Sequence, residues 1–180
     1  QVSLKMLKYK VAKKQSFFGQ NHKQDFKTFY TQAKTIKVKE LPPHPLRDQV
    51  SVGDYRLQEG INKKKFSTGE SFNYQFQIYG EGNISAITDP KVNSGNLQVY
   101  DPNVISDVNR SNGRVSGKKV YDYYIIPSEP GEYDLKDVFS WVFFNPVSEK
   151  YDTLYADTPI LVAGESTKNT AIRSSDLGVF

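Results

Sequence analysis

The segment from Gly113 to Lys118 comes closest to a motif that could do chemistry, because its glycines and lysine resemble a phosphate-binding loop. Such a loop has four residues between its glycines, a serine or threonine after the lysine, and a helix that begins there. Here three residues separate Gly113 from Gly117, and Lys119 follows the first lysine. The spacing argues against a nucleotide site and predicts that these residues open a strand.

Nucleophilic catalysis has little support in the sequence. Ser116 and Lys119 match the Ser-x-x-Lys pattern, but that pair needs a helical turn, and residues three apart on a strand face opposite ways. The chain has no cysteine, which excludes disulfides, thiolate metal sites and cysteine nucleophiles. His22 and His44 are too few for a three-histidine metal site, and His44 lies among prolines. We therefore expect that the chain is not an enzyme, has no catalytic residue and binds no cofactor.

A calcium site is the one metal centre that the sequence leaves open. Asp101, Asn103, Asp107 and Asn109 supply the oxygen ligands that calcium prefers. The same residue types are typical of turns, because their side chains bond their own backbone, and we favour that interpretation. The remaining carboxylates are scattered, and no two of them stand out as a glycosidase pair.

The charge is divided unevenly along the chain. Residues 1–47 carry eleven lysines and arginines but only Asp25 and Glu40, whereas residues 48–180 carry thirteen basic and eighteen acidic residues. The basic segment could contact phosphate, lipid headgroups or an acidic protein. Lysines also protect strand edges from aggregation, and we expect a solvated strand face. The acidic remainder would repel nucleic acid, so we expect no nucleic-acid partner.

The sequence predicts that the elements which position these residues are strands. Phe72, Tyr74, Phe76 and Ile78 alternate with polar residues, which indicates a strand with one buried face. The pattern ends at Gly80-Glu81-Gly82-Asn83, where we expect a break. Further strands are predicted at 54–57, 97–100, 120–126, 138–144, 151–155 and 159–162, with turns at 66–70 and 127–131, a short apolar stretch at 84–87 and a hairpin turn at 111–113.

About seven or eight strands without helical periodicity predict an all-β fold, namely an immunoglobulin-like antiparallel β-sandwich. Trp141 is expected in its core. The aromatic share of 13% is enough to build that core, and no apolar run is long enough to span a membrane.

The predicted organisation is one of tandem modules, the first of them incomplete. Residues 1–41 are expected to be the C-terminal strands of a preceding β-sandwich module, since two or three strands cannot fold alone. Residues 42–47 form a junction stiffened by prolines. Residues 48–164 are the complete sandwich, and residues 165–180 are a polar tail or linker.

Short motifs occur in a fixed order at 38–42, 52–57, 80–84, 99–102, 117–123, 126–127 and 130–133. Their order and spacing resemble the BatD family of aerotolerance-related exported proteins, and the terminal region around residues 172–173 resembles the segment that leads to the family's anchor. The resemblance covers about residues 36–164 and implies tandem immunoglobulin-like modules in the periplasm, anchored to the inner membrane of a bacterium. It further implies von Willebrand A-type protein partners, a linked MoxR-type ATPase and a role in oxygen tolerance. It assigns no catalytic, metal or cofactor residue to carry over.

Three functions are compatible with these observations. The first is a non-enzymatic scaffold of the cell envelope that binds a partner at an exposed strand edge. It agrees with the stiff junction and with a sequence in which we recognise no catalytic motif. A carbohydrate-binding module is the alternative, although we expect most of the 12 tyrosines to pack in or beside the core. A hydrolase that uses two carboxylates is the least supported of the three.

Overall fold

The computed structural model describes residues 2–11, 17 and 22–164, which form strands, turns and two short 3₁₀ helices. The predicted all-β class is confirmed. The predicted tail, 165–180, lies outside the described residues. The strands are β1 Ser3–Val11, β2 His22–Tyr30, β3 Ser51–Ile61, β4 Lys65–Ser67, β5 Phe72–Gly82, β6 Lys91–Val92, β7 Leu97–Val99, β8 Asn103–Ser111, β9 Arg114–Pro127, β10 Gly131–Asp134, β11 Phe139–Asn145, β12 Lys150–Tyr155 and β13 Pro159–Ala163.

The chain divides into two compact units, residues 1–42 and 43–180. The described part of the first unit contains one antiparallel hairpin, β1 with β2, in a register that runs from Ser3 opposite Tyr30 to Val11 opposite His22. Large apolar side chains on both of its faces are exposed, among them Leu4, Met6 and Phe26. Two strands cannot enclose a core. That this hairpin ends a preceding module stays a prediction.

The second unit, as far as the structure describes it, contains two sheets. The larger has the strand order β12-β11-β3-β5-β9-β7, with β6 also paired to β11 and β8 also paired to β9. The smaller has the order β10-β13-β4. Most pairs are antiparallel, as predicted, but β3 pairs with β11 and β4 with β13 in parallel over two or three residues. The chain segments that join these parallel pairs are long, so strands from the start and end of the unit can meet side by side. The immunoglobulin-like detail of the strand order stays a prediction.

The core lies on the inner face of β5, β9 and β11. The alternation predicted for β5 is confirmed, since Phe72, Tyr74, Phe76 and Ile78 are all buried. Trp141 is buried as predicted and meets the ring of Tyr55 edge-on at 5.3 Å. Burial of one such side chain contributes about 2–3 kcal/mol. Further buried aromatic residues are Tyr121, Tyr123, Phe139 and Phe143.

Several predicted boundaries were wrong. The predicted break at Gly80-Glu81-Gly82-Asn83 is strand as far as Gly82, and the apolar stretch at 84–87 contains a 3₁₀ helix, Ile84–Ala86. The predicted turn at 66–70 begins with β4. The largest miss is β8, for which a turn was favoured. Almost every residue of β8 is exposed, so it lacks the alternation that marks a half-buried strand.

Candidate functional site

Strand β8 lies at an edge of the larger sheet, and among the described residues its one partner strand is β9. Such a strand directs a row of backbone N–H and C=O groups away from the sheet. Proteins usually protect these edges with proline, lysine or a bulge. Strand β8 contains neither proline nor lysine and its register is regular; its charged residues are Asp107 and Arg110, and Ile105 is 57% exposed. The edge can therefore accept another strand.

A tight hairpin sets the position of β8. Asn112 and Gly113 have φ angles of 51° and 74°, which are the left-handed values that a two-residue type I′ turn requires. Ser111 and Arg114 face each other directly beyond the turn. The hairpin predicted from Asn-Gly is confirmed, and it holds β8 in register with β9 along its whole length.

The outer face of β3, β5, β9 and β8 carries side-chain amides that bond one another across the strands. Gln77 Nε2 donates to Gln58 Oε1 at 2.9 Å. Gln75 Nε2 and Asn73 Nδ2 donate to the two carboxylate oxygens of Asp122, at 3.4 and 3.2 Å. These lateral bonds fix the orientation of the amide groups on a surface that is open to solvent.

Tyrosine exposure differs from the prediction. Six of the 12 tyrosines are exposed, so the expectation that most of them pack in or beside the core was wrong. The pattern that predicted burial holds on the inner face of the sheet, but β9 also turns Tyr124 outward. Tyr79, Tyr100 and Tyr124 are 37%, 50% and 44% exposed, and the rings of the last two lie 5.8 Å apart.

His44 has a structural role. Its ring stacks on Tyr151, with 4.1 Å between the centroids, and its Nδ1 accepts a hydrogen bond from the backbone N–H of Leu46 at 3.1 Å. The proline-rich segment is thereby fastened to β12. A cleft of about 290 Å³ lies nearby, lined by Leu46, Gln49, Val50, Thr88, Asp89, Lys91, Ser140, Trp141 and Val142.

The calcium arrangement does not form. Asn103, Asp107 and Asn109 lie on the extended strand β8, where Asn103 and Asp107 are about 13 Å apart along the chain direction. Oxygen atoms that far apart cannot share one ion, because calcium binds its ligands at about 2.3–2.6 Å. Among residues 2–11, 17 and 22–164 there is no group of three or more His, Cys, Asp or Glu that could hold a metal ion.

The phosphate-loop and Ser-x-x-Lys patterns fall on a turn and a strand, as expected. Gly113 belongs to the hairpin turn and Gly117 to β9. Ser116 lies opposite Glu81, whereas Lys119 Nζ donates to the backbone oxygen of Ile87 at 2.7 Å on the other face. The serine and the lysine therefore do not meet.

The strongest pKa shifts belong to buried tyrosines. Burial raises the pKa of Tyr55 to about 12 and raises the pKa values of Tyr74, Tyr121 and Tyr123 further. The carboxylate of Glu59 adds to the effect at Tyr74, whose hydroxyl donates to it at 2.7 Å. Hydroxyls held neutral in this way serve packing and cannot act as bases near neutral pH.

The part of the chain that the structure describes contains no helix long and apolar enough to cross a membrane. No curated protein and no solved structure matches the chain. The family model described as the BatD DUF11-like domain matches residues 59–154, from β3 to β12. The matched segment contains the edge strand, the part of the amide-bearing face on β5, β9 and β8, and most of the core. Because it spans more than half of the chain, the predicted resemblance is confirmed, and the chain belongs to the BatD family.

Proposed function

We propose that this chain is a non-enzymatic protein-interaction module of an aerotolerance-related envelope protein, and that a partner binds by adding a strand to β8. The observation that carries the proposal is the free edge of β8, nine residues long and paired on one side among the described residues. Nine residues of strand span about 30 Å, enough for a row of backbone hydrogen bonds to an added strand.

The side chains of β8 suit a protein partner. Val104 and Ile105 are both exposed and point to opposite faces of the sheet, so an added strand would gain apolar contacts on either side. Asp107 and Arg110 supply one charge of each sign. Backbone bonds would provide affinity, and these side chains would provide the choice of partner.

Membership of the BatD family supports the rest of the proposal. The partners are von Willebrand A-type proteins, and the protein acts in the periplasm while anchored to the inner membrane. The role in oxygen tolerance then follows from assembly with these partners and not from catalysis.

The proposal is tested by site-specific photo-crosslinking in cells. A photoreactive phenylalanine analogue is placed at Ile105 of the full-length protein, and crosslinked partners are identified by mass spectrometry. The matched control carries the analogue at Val147, which is also exposed but lies in the turn between β11 and β12. We expect von Willebrand A-type proteins to crosslink at position 105 and not at position 147.

A second variant, Ile105→Lys, places a charge on the edge without disturbing the core. We expect it to stop the co-purification of the partner while leaving the melting temperature unchanged. Co-purification that survives this substitution, or crosslinks from position 147 alone, would show that the β8 edge is not the binding site.

A further inference from the structure

We propose that the outer face of strands β3, β5, β9 and β8 is a binding platform for a neutral oligosaccharide. Nothing in the family match assigns a ligand to this face, and the proposal does not depend on strand addition at the β8 edge. It is argued from the amide groups, the exposed tyrosines and the charges that share the face.

The amides lie at neighbouring levels across the four strands. In the register of the sheet, Gln75 is opposite Asp122, which is opposite Asn103, and one level away Gln58 is opposite Gln77. The lateral bonds described above hold Gln58, Gln75, Gln77 and Asp122 in place. A ligand would therefore meet polar groups whose orientation is already fixed, which lowers the entropy lost on binding.

Each amide keeps bonding capacity for a ligand. A glutamine or asparagine side chain has two N–H donors and two acceptor lone pairs, and one lateral bond uses only a part of them. Sugar hydroxyls both donate and accept hydrogen bonds, so they match a surface that offers both functions side by side. The carboxylate of Asp122 adds acceptor capacity at the centre of the face.

Exposed tyrosines lie towards both ends of this amide region. Tyr79 faces Lys118 at one end, and Tyr124 lies six residues further along β9, about 20 Å away. Tyr100 tilts against Tyr124 by 60° and widens the aromatic surface at that end. A tyrosine ring offers an apolar body for the C–H face of a sugar ring and a polar tip for a hydroxyl. The distance suits an oligosaccharide of several rings.

The charges on the face select against other ligands. Four carboxylates on this face, those of Asp54, Glu81, Asp107 and Asp122, lie among three cations, Arg56, Arg114 and Lys118, and Arg114 pairs with Glu81 at 3.2 Å. Because these cations are outnumbered and one of them is already paired, the face offers no cluster of positive charge to bind nucleic acid or sulfated or uronic-acid polymers. A polar face with oriented amides and no net positive charge fits an uncharged glycan.

The proposal is tested with the full chain and four named probes. Cellohexaose, xylohexaose, maltohexaose and chitohexaose are titrated by isothermal calorimetry up to millimolar concentration. We expect at least one to bind, and we expect Tyr79→Ala and Tyr124→Ala each to weaken its affinity by about fivefold or more. Tyr155→Ala is the matched control: this tyrosine is also exposed but lies on β12, and its loss should change affinity less than twofold.

Asn73→Ala is a second test that leaves the tyrosines unchanged. It should weaken binding of the oligosaccharide because it removes one hydrogen-bond donor to Asp122. Failure of all four probes to bind the folded chain would overturn the proposal. Equal loss in Tyr155→Ala and Tyr124→Ala, or binding of charged glycans alone, would also overturn it. None of these three results would decide whether a protein partner crosslinks at Ile105.

Discussion

Gly80 on β5 and Gly117 on β9 lie directly opposite each other, and both bring the backbone of a neighbouring strand unusually close. Their φ angles are 153° and 154°. A Cβ atom on Gly80 would lie 2.0 Å from the backbone oxygen of Asp54, and one on Gly117 would lie 2.0 Å from that of Asp107. The pair thus forms a line of close backbone approach that crosses from β3 to the edge strand β8.

Substitution of either glycine should destabilise the second unit. We expect Gly80→Ala and Gly117→Ala to lower the free energy of unfolding by about 3 kcal/mol or more, because the methyl group meets backbone that cannot move without breaking the ladder. Urea denaturation measures the loss. Gly69→Ala is the control: Gly69 has a φ of 79° but open space around it, so only the backbone strain of about 1–2 kcal/mol applies. Equal losses at all three positions would contradict the steric argument.

The hydrogen bond between Tyr74 and Glu59 should contribute measurably to stability. Its removal in Tyr74→Phe leaves one carboxylate oxygen of Glu59 without that donor, while the other still accepts from the backbone N–H of Asp157 at 2.9 Å. We expect a loss of about 2 kcal/mol in the free energy of unfolding. Tyr79→Phe removes an exposed hydroxyl on the same strand and should change stability by less than about 0.5 kcal/mol. Equal losses in the two variants would show that the part-buried bond between Tyr74 and Glu59 contributes no more stability than an exposed hydroxyl does.

Alkaline pH should unfold the protein through its buried tyrosines. The folded-state pKa values of Tyr55, Tyr74, Tyr121 and Tyr123 are raised above the ordinary value of 10.0, to about 12 for Tyr55. Below pH 10 these tyrosine hydroxyls are protonated in both the folded and the unfolded protein, so the full stability is present. As the pH rises from 10 towards 12, the unfolded chain ionises first, so stability falls. We expect a slope steeper than about 1 kcal/mol per pH unit.

The measurement is the free energy of unfolding by urea at pH 8, 10 and 11. Tyr123→Phe keeps the buried ring and removes one titrating hydroxyl, so it should make the alkaline slope shallower while stability at pH 8 changes little. A free energy of unfolding that stays constant up to pH 11 would show that these hydroxyls ionise without unfolding the protein.

Calcium should have no specific effect. Because β8 separates Asn103 from Asp107, millimolar calcium should leave the melting temperature of the full chain unchanged. Magnesium at the same concentration is the control for ionic strength. A rise in the melting temperature with calcium alone would indicate a site outside the geometry described for β8.

The sequence predicts best where one face of a strand is buried. The alternation in β5 and the burial of Trp141 were both foreseen, because a strand between core and solvent shows period two. The Asn112-Gly113 turn was foreseen because its backbone requires positive φ. Each of these signals is local, so a single sequence is enough to detect it.

Other features depend on neighbours distant in the sequence and could not be predicted. Strand β8 is exposed on both faces, so its Asp and Asn residues indicated a turn. Gly80 was interpreted as a break, whereas its missing side chain makes room for the backbone of β3. The stack of His44 on Tyr151 joins residues more than a hundred positions apart, and neither local sequence contains a pattern that predicts it. The amide-bearing face was missed because its polar residues look like ordinary solvated positions.

The parallel pairing of β4 with β13 has a consequence for how the second unit folds. It places Phe66 beside Val162, so a strand near the start of the unit pairs with one almost a hundred residues later in the sequence. Contacts this distant along the chain slow folding, because the loop entropy is lost before the contact forms. Strands β3, β5 and β9 pair with one another without β13, so they can assemble before β4 gains its partner strand. We therefore expect the pairing of β4 with β13 to form late in folding.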